Sequence, residues 1–205
     1  MDEDISFFLK RYGPPISPIV VPASSLTRYK NKLPEQLLKY WEEFGWCGYA
    51  EGLLWVVNPQ DYESIIQQWL ANSNFDRTDS YHVIARSAFG ELYVWGERSG
   101  YCLTITSYLA RFCKRVSRFA PDNLDFGVRV FFSSLNPEDD DEDGLFTLAL
   151  RKLGPLKHDE MYGFVPAIAL GGALEVEHID KVNAVAHLTF LSELSPLKDW
   201  DFIEQ

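Results

Sequence analysis

Three cysteines, four histidines and one block of acids are the side chains in this sequence with chemistry to offer. A nucleophile needs a base beside it and a third group to orient that base. Cys47 lies in Phe44-Gly45-Trp46-Cys47-Gly48-Tyr49, among aromatics and far from any histidine. It reads as a small buried hydrophobe. Cys47, Cys102 and Cys113 form no C-x-x-C pair, and an odd count suits neither a disulfide framework nor a zinc ribbon. No serine stands in G-x-S-x-G, and no glycine-rich loop carries a phosphate-binding lysine. His82, His158, His178 and His187 include no i, i+3 or i, i+4 pair that would put two ligands on one helix face. His158-Asp159-Glu160 is a compact polar cluster, but successive residues point in different directions. It reads as a loop whose carboxylates cap the next turn, with a metal or acid–base site as the alternative. No catalytic residue, metal or cofactor is expected.

Charge is the sharper signal. Glu138, Asp139, Asp140, Asp141, Glu142 and Asp143 are consecutive carboxylates. A calcium loop would alternate acids with other ligands around a central glycine, and this run does neither. Two readings stay open: a solvated, flexible loop that complements the following helix N-terminus, or an electrostatic guide toward a basic partner such as a nuclease. Upstream, Arg98, Arg111, Lys114, Arg115 and Arg118 occur without an intervening acid, interleaved with Tyr108, Phe112 and Phe119. This reads as an ordinary basic strand or loop, with a nucleic-acid surface as the minor alternative. Of the aromatic cluster Tyr40, Trp41, Phe44, Trp46, Tyr49 and Trp55, most is expected in the core. Trp46 and Tyr49 follow a helix stop, where a loop would expose them as interface anchors.

The elements that must position these residues follow from spacing and punctuation. Pro14, Pro15, Pro18 and Pro22 make the first thirty residues read as an extended arm. A helix is expected over Pro34–Phe44, with Leu37, Leu38, Trp41 and Phe44 on one face and Gly45 as its stop. Leu53–Val57 suits a buried strand. Asn58-Pro59-Gln60-Asp61 starts a second helix, which Tyr62, Ile65, Ile66 and Trp69 carry to about Leu70. His82–Ala85, Leu92–Trp95 and Tyr101–Thr106 read as an antiparallel meander packed against these helices. After Pro121 a helix is expected, capped by Asp122 and Asp125 and striped by Leu124, Gly127, Val128, Phe131 and Leu135. Another carries Phe146, Ala149, Leu150 and Leu153 and ends at Gly154. The remainder suggests a strand near Tyr162–Val165, a Gly171-Gly172 turn and one or two closing helices. The class is α+β: an antiparallel meander packed with helices, then a mostly helical C-terminal lobe. The expected division is 1–120 and 121–205.

Composition bounds the function. The 205 residues are 46% hydrophobic and 24% charged, which is globular usage. Thirty acids against 19 bases give a formal charge of −11, which opposes general binding to DNA, RNA or anionic membrane. The weakly polar run from Phe164 to Leu174 is broken by Pro166, Gly171 and Gly172 and is far shorter than a membrane span. Met1-Asp2-Glu3-Asp4 carries acids where an export signal carries bases, so a cytoplasmic location is expected.

Two blocks resemble known families. Leu33-Pro34-Glu35-Gln36-Leu37-Leu38-Lys39-Tyr40-Trp41, Gly45-Trp46-Cys47-Gly48-Tyr49 and Leu53-Leu54-Trp55-Val56-Val57-Asn58-Pro59 resemble the GAD-like domain. Leu145-Phe146, Leu153-Gly154-Pro155-Leu156, Asp159-Glu160-Met161-Tyr162-Gly163-Phe164-Val165-Pro166-Ala167 and Leu170-Gly171-Gly172 resemble the C-terminal domain of immunity proteins against type VI secreted DNases, including those of GHH-type effectors of Pseudomonas. The resemblance implies a cytoplasmic antidote that binds and neutralises a cognate secreted nuclease toxin, without catalytic residues of its own. The acids Glu138–Asp143, with Trp46 and Tyr49, are the expected toxin-binding residues. Two other classes compete: a small hydrolase-like enzyme using His158, Asp159 and Glu160, which needs these groups to converge in a pocket, and an unrelated regulatory binding module. Oligomeric state is left open.

Overall fold

The structure, a computed structural model, describes residues 2–71 and 79–200. Eight strands form one sheet in the order β1 (Ile16–Ile19), β2 (Trp46–Tyr49), β3 (Leu54–Val56), β4 (Tyr81–Ser87), β5 (Glu91–Gly96), β6 (Gly100–Thr106), β7 (Arg111–Lys114) and β10 (Lys198–Asp199). All pairings are antiparallel except that of β10 with β7, which is parallel. Strands β8 (Glu160–Phe164) and β9 (Ile179–Asn183) make a separate antiparallel pair. The α+β class and the helical character of the C-terminal part are as expected.

Helices cover both faces of the large sheet, because its strands alternate apolar residues to both sides. On one face, Leu54, Val56, Ile84, Tyr93 and Trp95 meet helices α1 (Glu3–Tyr12), α3 (Glu35–Phe44) and α5 (Leu124–Ser134). On the other, Trp55, Val83, Leu92, Val94, Leu103 and Ile105 meet α4 (Glu63–Ala71), α7 (Leu145–Leu153), α8 (Ala184–Leu194) and the β8–β9 pair. Residues after 120 thus complete both cores: Val128, Phe131 and Phe132 on the first face, Phe146, Ala149 and Leu188 on the second.

Several elements differ from expectation for identifiable reasons. The first thirty residues are not an extended arm. Asp2 caps α1 by accepting from Ile5 N at 3.0 Å, and Ile5, Phe8 and Tyr12 bury one stripe before Gly13 ends the helix ahead of Pro14. Pro18 lies within β1, at the sheet edge where a missing donor is tolerated. Helix α2 (Ala23–Tyr29) starts directly after Pro22. Trp46–Tyr49 is a strand rather than a loop, buried along its whole length between β1 and β3. Helix α5 is capped by Asn123, which accepts from Phe126 N, while Asp125 instead accepts from Gln36 N at 2.9 Å and ties α5 to α3.

The C-terminal half is fastened to the sheet by a buried cation. Arg86 on β4 is fully buried. Its guanidinium donates to the Tyr62 hydroxyl at 3.1 Å and to the carbonyls of Ser87, His158 and Glu160 at 3.2, 3.0 and 2.7 Å. It also lies 5.5 Å from the centre of the Trp55 ring. One step further along the chain, Tyr162 N donates to Ala88 O at 2.9 Å. Removing Arg86 leaves these buried and part-buried carbonyls without their donor. Arg86→Ala is expected to lower the unfolding free energy by about 3 kcal/mol or more. Arg86→Lys, which keeps the charge but loses the planar fork, should recover only part of that. Urea denaturation of the three proteins checks both statements.

Candidate functional site

The acidic run holds most of the expected binding residues, and the fold gives it a defined shape. Helix α5 lies on one face of the sheet and α7 on the other, so residues 135–144 must carry the chain across the sheet's end. The run is not a free loop. Pro137–Asp140 forms the short helix α6, and a turn over 141–144 leads into α7. Asn136 and Pro137 start α6 in the manner expected of proline in a first turn.

Two of the six carboxylates face inward. Asp140 is 2% exposed, accepting from the Tyr12 hydroxyl at 3.0 Å and from the Tyr93 hydroxyl. Glu142 accepts from the Tyr108 hydroxyl at 2.5 Å. Beneath them, Glu91 at the start of β5 accepts from Thr106 at 3.4 Å and lies 3.5 Å from the Tyr93 hydroxyl, whose proton goes to Asp140. Burial pushes the Asp140 carboxyl up to about 6, against the pull of its two tyrosine donors. Burial, reinforced by the charges of Asp140 and Glu142, pushes Glu91 up to about 7. Glu142 is raised by burial as well. Glu138, Asp139 and Asp143 are exposed and Asp141 is half-buried. The run therefore divides into inward acids that fix its course and outward acids that set its field.

The other expected residues are placed differently. Trp46 and Tyr49, expected as exposed anchors, are 5% and 2% exposed and belong to the core. Trp46 packs edge-on against Trp41, and Tyr49 against Phe8. His158, Asp159 and Glu160 do not converge. The His158 ring lies edge-on to Trp55, Asp159 is exposed, and the Glu160 carboxylate accepts from Lys157 N at 3.0 Å. What His158 and Glu160 share is Arg86, through their carbonyls. His178 accepts from Ala173 N at 2.8 Å, and His187 lies near Phe190 with its imidazole lowered by burial. Among the described residues no group of three or more His, Cys, Asp or Glu is arranged to hold a metal ion. Burial pushes the Cys47 and Cys102 thiols up to about 11, the environment of inert thiols.

The basic stretch is structural on its strand side. Arg111 donates to Asp199 O at 3.1 Å, Lys114 stands 3.7 Å from the Asp199 carboxylate, and Arg115 lies over Tyr101. A depression of about 510 Å3 lies between α4 and the ends of β4 and β5, lined in part by Lys32, Glu63, Ile66, Tyr81, His82 and Glu97. His82 and Glu97 pair there at 3.0 Å, and none of the His158 cluster reaches it.

Sequence reasoning missed Tyr12, Tyr93, Tyr108 and Glu91. Part of the signal was present. Strand period places Glu91 and Tyr93 on one side, opposite Thr106 and Thr104 in register. The closing of α6 over them has no local signature.

Residues 3–109 match the GAD-like domain, and the chain belongs to that family. Residues 125–195 match the family described as T6SS immunity protein Tdi1, C-terminal, a match that supports an immunity-protein role. The crystal structure of Atu4351 from Agrobacterium tumefaciens is similar at 27% identity and a TM-score of 0.86, covering 100% of this chain and 94% of that one. No curated protein matches the sequence. No helix among the described residues is long and apolar enough to cross a membrane.

The raised carboxyls have a thermodynamic consequence. Asp140 and Glu91 bind protons more tightly in the folded chain than in the unfolded one, so folding takes up protons between about pH 4 and pH 7. Their contribution to stability falls as pH rises through that window. Glu91→Gln is expected to raise the unfolding free energy at about pH 8 by about 1–2 kcal/mol. The same variant should gain less than the wild type on moving to about pH 6, measured by urea denaturation at both values.

Proposed function

We propose that the chain is the cytoplasmic antidote of a secreted antibacterial nuclease, which it binds and holds inactive. The observation that carries this is the outward acids Glu138, Asp139 and Asp143, fixed on a segment that tyrosine hydroxyls anchor from beneath, in a chain of net charge −11. A nuclease must present a basic surface to its substrate. A negatively charged protein with acids held in place is complementary to it. Asp140 and Glu142 act in this reading by holding the segment, and Asp141 lies at its margin. The immunity-family match and the absence of convergence at His158, Asp159 and Glu160 support binding rather than turnover as the mode of action. The direct test is co-purification with the product of the neighbouring toxin gene, followed by a DNA-cleavage assay. Inhibition at a one-to-one ratio is expected.

Charge steering gives a kinetic signature. Replacing Glu138, Asp139 and Asp143 by Asn, Asn and Ser is expected to slow association with the toxin several-fold at low salt and little at high salt. Screening is the cause, since the Debye length shrinks from about 30 Å at 0.01 M to about 3 Å at 1 M. Dissociation should change little if these acids lie at the rim. Stopped-flow or surface-based kinetics at two salt concentrations checks this, and equal rates at both would remove the steering role.

A further inference from the structure

A loop in the C-terminal half is built rigidly and yet presents apolar side chains to water. Residues 165–178 leave β8 and return at β9. Val165 N donates to His178 O at 2.7 Å, Leu170 N and Gly172 N to Ala167 O at 2.8 and 3.1 Å, and Gly171 N to Ile168 O at 3.0 Å. The His178 ring accepts from Ala173 N at 2.8 Å. Gly172 lies so close to Pro166 that a Cβ there would stand 1.9 Å from the Pro166 carbonyl oxygen. The loop is therefore closed on itself. Despite this order, Val165, Leu170 and Leu174 are 45%, 58% and 47% exposed. A surface that is both preorganised and apolar is what a binding site costs least to use.

A depression of about 100 Å3 lies beside the loop, lined in part by Tyr108, Leu109, Ile168, Ala169, Leu191 and Leu194. The turn Ser107–Leu109 packs against the turn Ile168–Leu170. On α8, exposed Phe190 stands one turn before Leu194. Tyr108 joins this apolar region to the acidic crossover: its ring lies 5.2 Å from that of Phe164, and its hydroxyl donates to Glu142. Toward the loop's other end, Glu175 and Glu177, and Asp180 on β9, are exposed. An apolar centre with acids on two sides has the layout of an interface core and its rim. The acids exclude an anionic membrane as occupant and favour a basic protein.

We propose that the loop 165–174 and the adjoining depression are the docking surface for the toxin, taking an apolar side chain of a basic partner into the depression while Asp143, Glu175 and Glu177 face its positive rim. This assignment rests on the toxin-binding reading above. It places the contact on the C-terminal half and leaves α1 and β1 outside it.

The test uses the full chain and an inactivated toxin domain from the neighbouring gene, with rates read by biolayer interferometry. Leu170→Asp combined with Leu174→Asp is expected to weaken binding about tenfold or more, chiefly through faster dissociation, at an unchanged melting temperature. Phe7→Asp combined with Val20→Asp, exposed apolar positions on α1 and after β1, should bind within about twofold of the wild type. If the leucine variant melts early, Ala169→Arg at the rim of the depression is read instead, with the same loss expected. A folded leucine or arginine variant that binds as the wild type does overturns the assignment and leaves the toxin-binding reading standing. A wild type that does not bind the toxin overturns both. A wild-type dimer that the leucine substitutions convert to a monomer, with toxin binding unchanged, shows a second copy to be the occupant and also overturns it.

Discussion

The arrangement of this protein depends on one buried charge. Arg86 stands in the centre of a sheet, without access to water, and spends its donors on carbonyls and a tyrosine hydroxyl. A guanidinium in that position is tolerable only when each N–H finds an acceptor at the right angle. Two of those acceptors belong to residues 158 and 160, more than seventy positions downstream. Within the GAD-like part the guanidinium finds only the Tyr62 hydroxyl and the Ser87 carbonyl, and the C-terminal part supplies the other two acceptors. The C-terminal part in turn finds its entry point on the sheet at β4 and at the Ala88 carbonyl. A geometric demand of this kind fixes register as well as adding stability.

The acidic crossover is governed by the same logic with the opposite sign. Chain connectivity requires a passage from the face of α5 to the face of α7. Tyrosines from both faces receive it, Tyr12 and Tyr93 on one and Tyr108 on the other. Burying Asp140 and Glu91 together is unfavourable at neutral pH, as their raised carboxyls show. The gain is a segment whose outward acids are held in fixed positions. Fixed charges produce a directional field, whereas charges on a flexible loop average theirs over many orientations.

Much of this was legible in the sequence because it was local. Helices α3, α4, α5 and α7 follow from their apolar stripes, and β4 to β6 follow from strand-like runs punctuated at Gly90 and at Ser99-Gly100. What failed was read from single residues without their tertiary partners. Four prolines suggested an arm, but they fall between elements and at an edge strand. Trp46 and Tyr49 followed a helix stop, yet the next strand began at once, and β1 and β3 enclosed it. Six acids suggested a solvated loop. That two of them turn inward depends on tyrosines 47 to 128 positions away from Asp140 and 34 from Glu142, a distance no local pattern can express. The His158 cluster was read as compact, but its side chains do not converge, and its contribution is main-chain carbonyls, which any residue type could supply.

Helix α5 has a consequence for how such chains are recombined. It matches the C-terminal family but buries Val128, Phe131 and Phe132 against α1, α3 and the face of the sheet that bears them. Its Arg129 pairs with Asp4 at 2.7 Å, and Arg11 donates to Ser133 O at 2.5 Å. A natural or engineered chimera joined near residue 120 would set a foreign α5 into the groove of another relative's first helix. One joined within the crossover at 135–144 would keep α5 with the surfaces it packs against, but would cut through the Asp140 and Glu142 anchors. The seam visible to sequence comparison, between residues 109 and 125, thus lies ahead of a helix that packs with the first part of the chain.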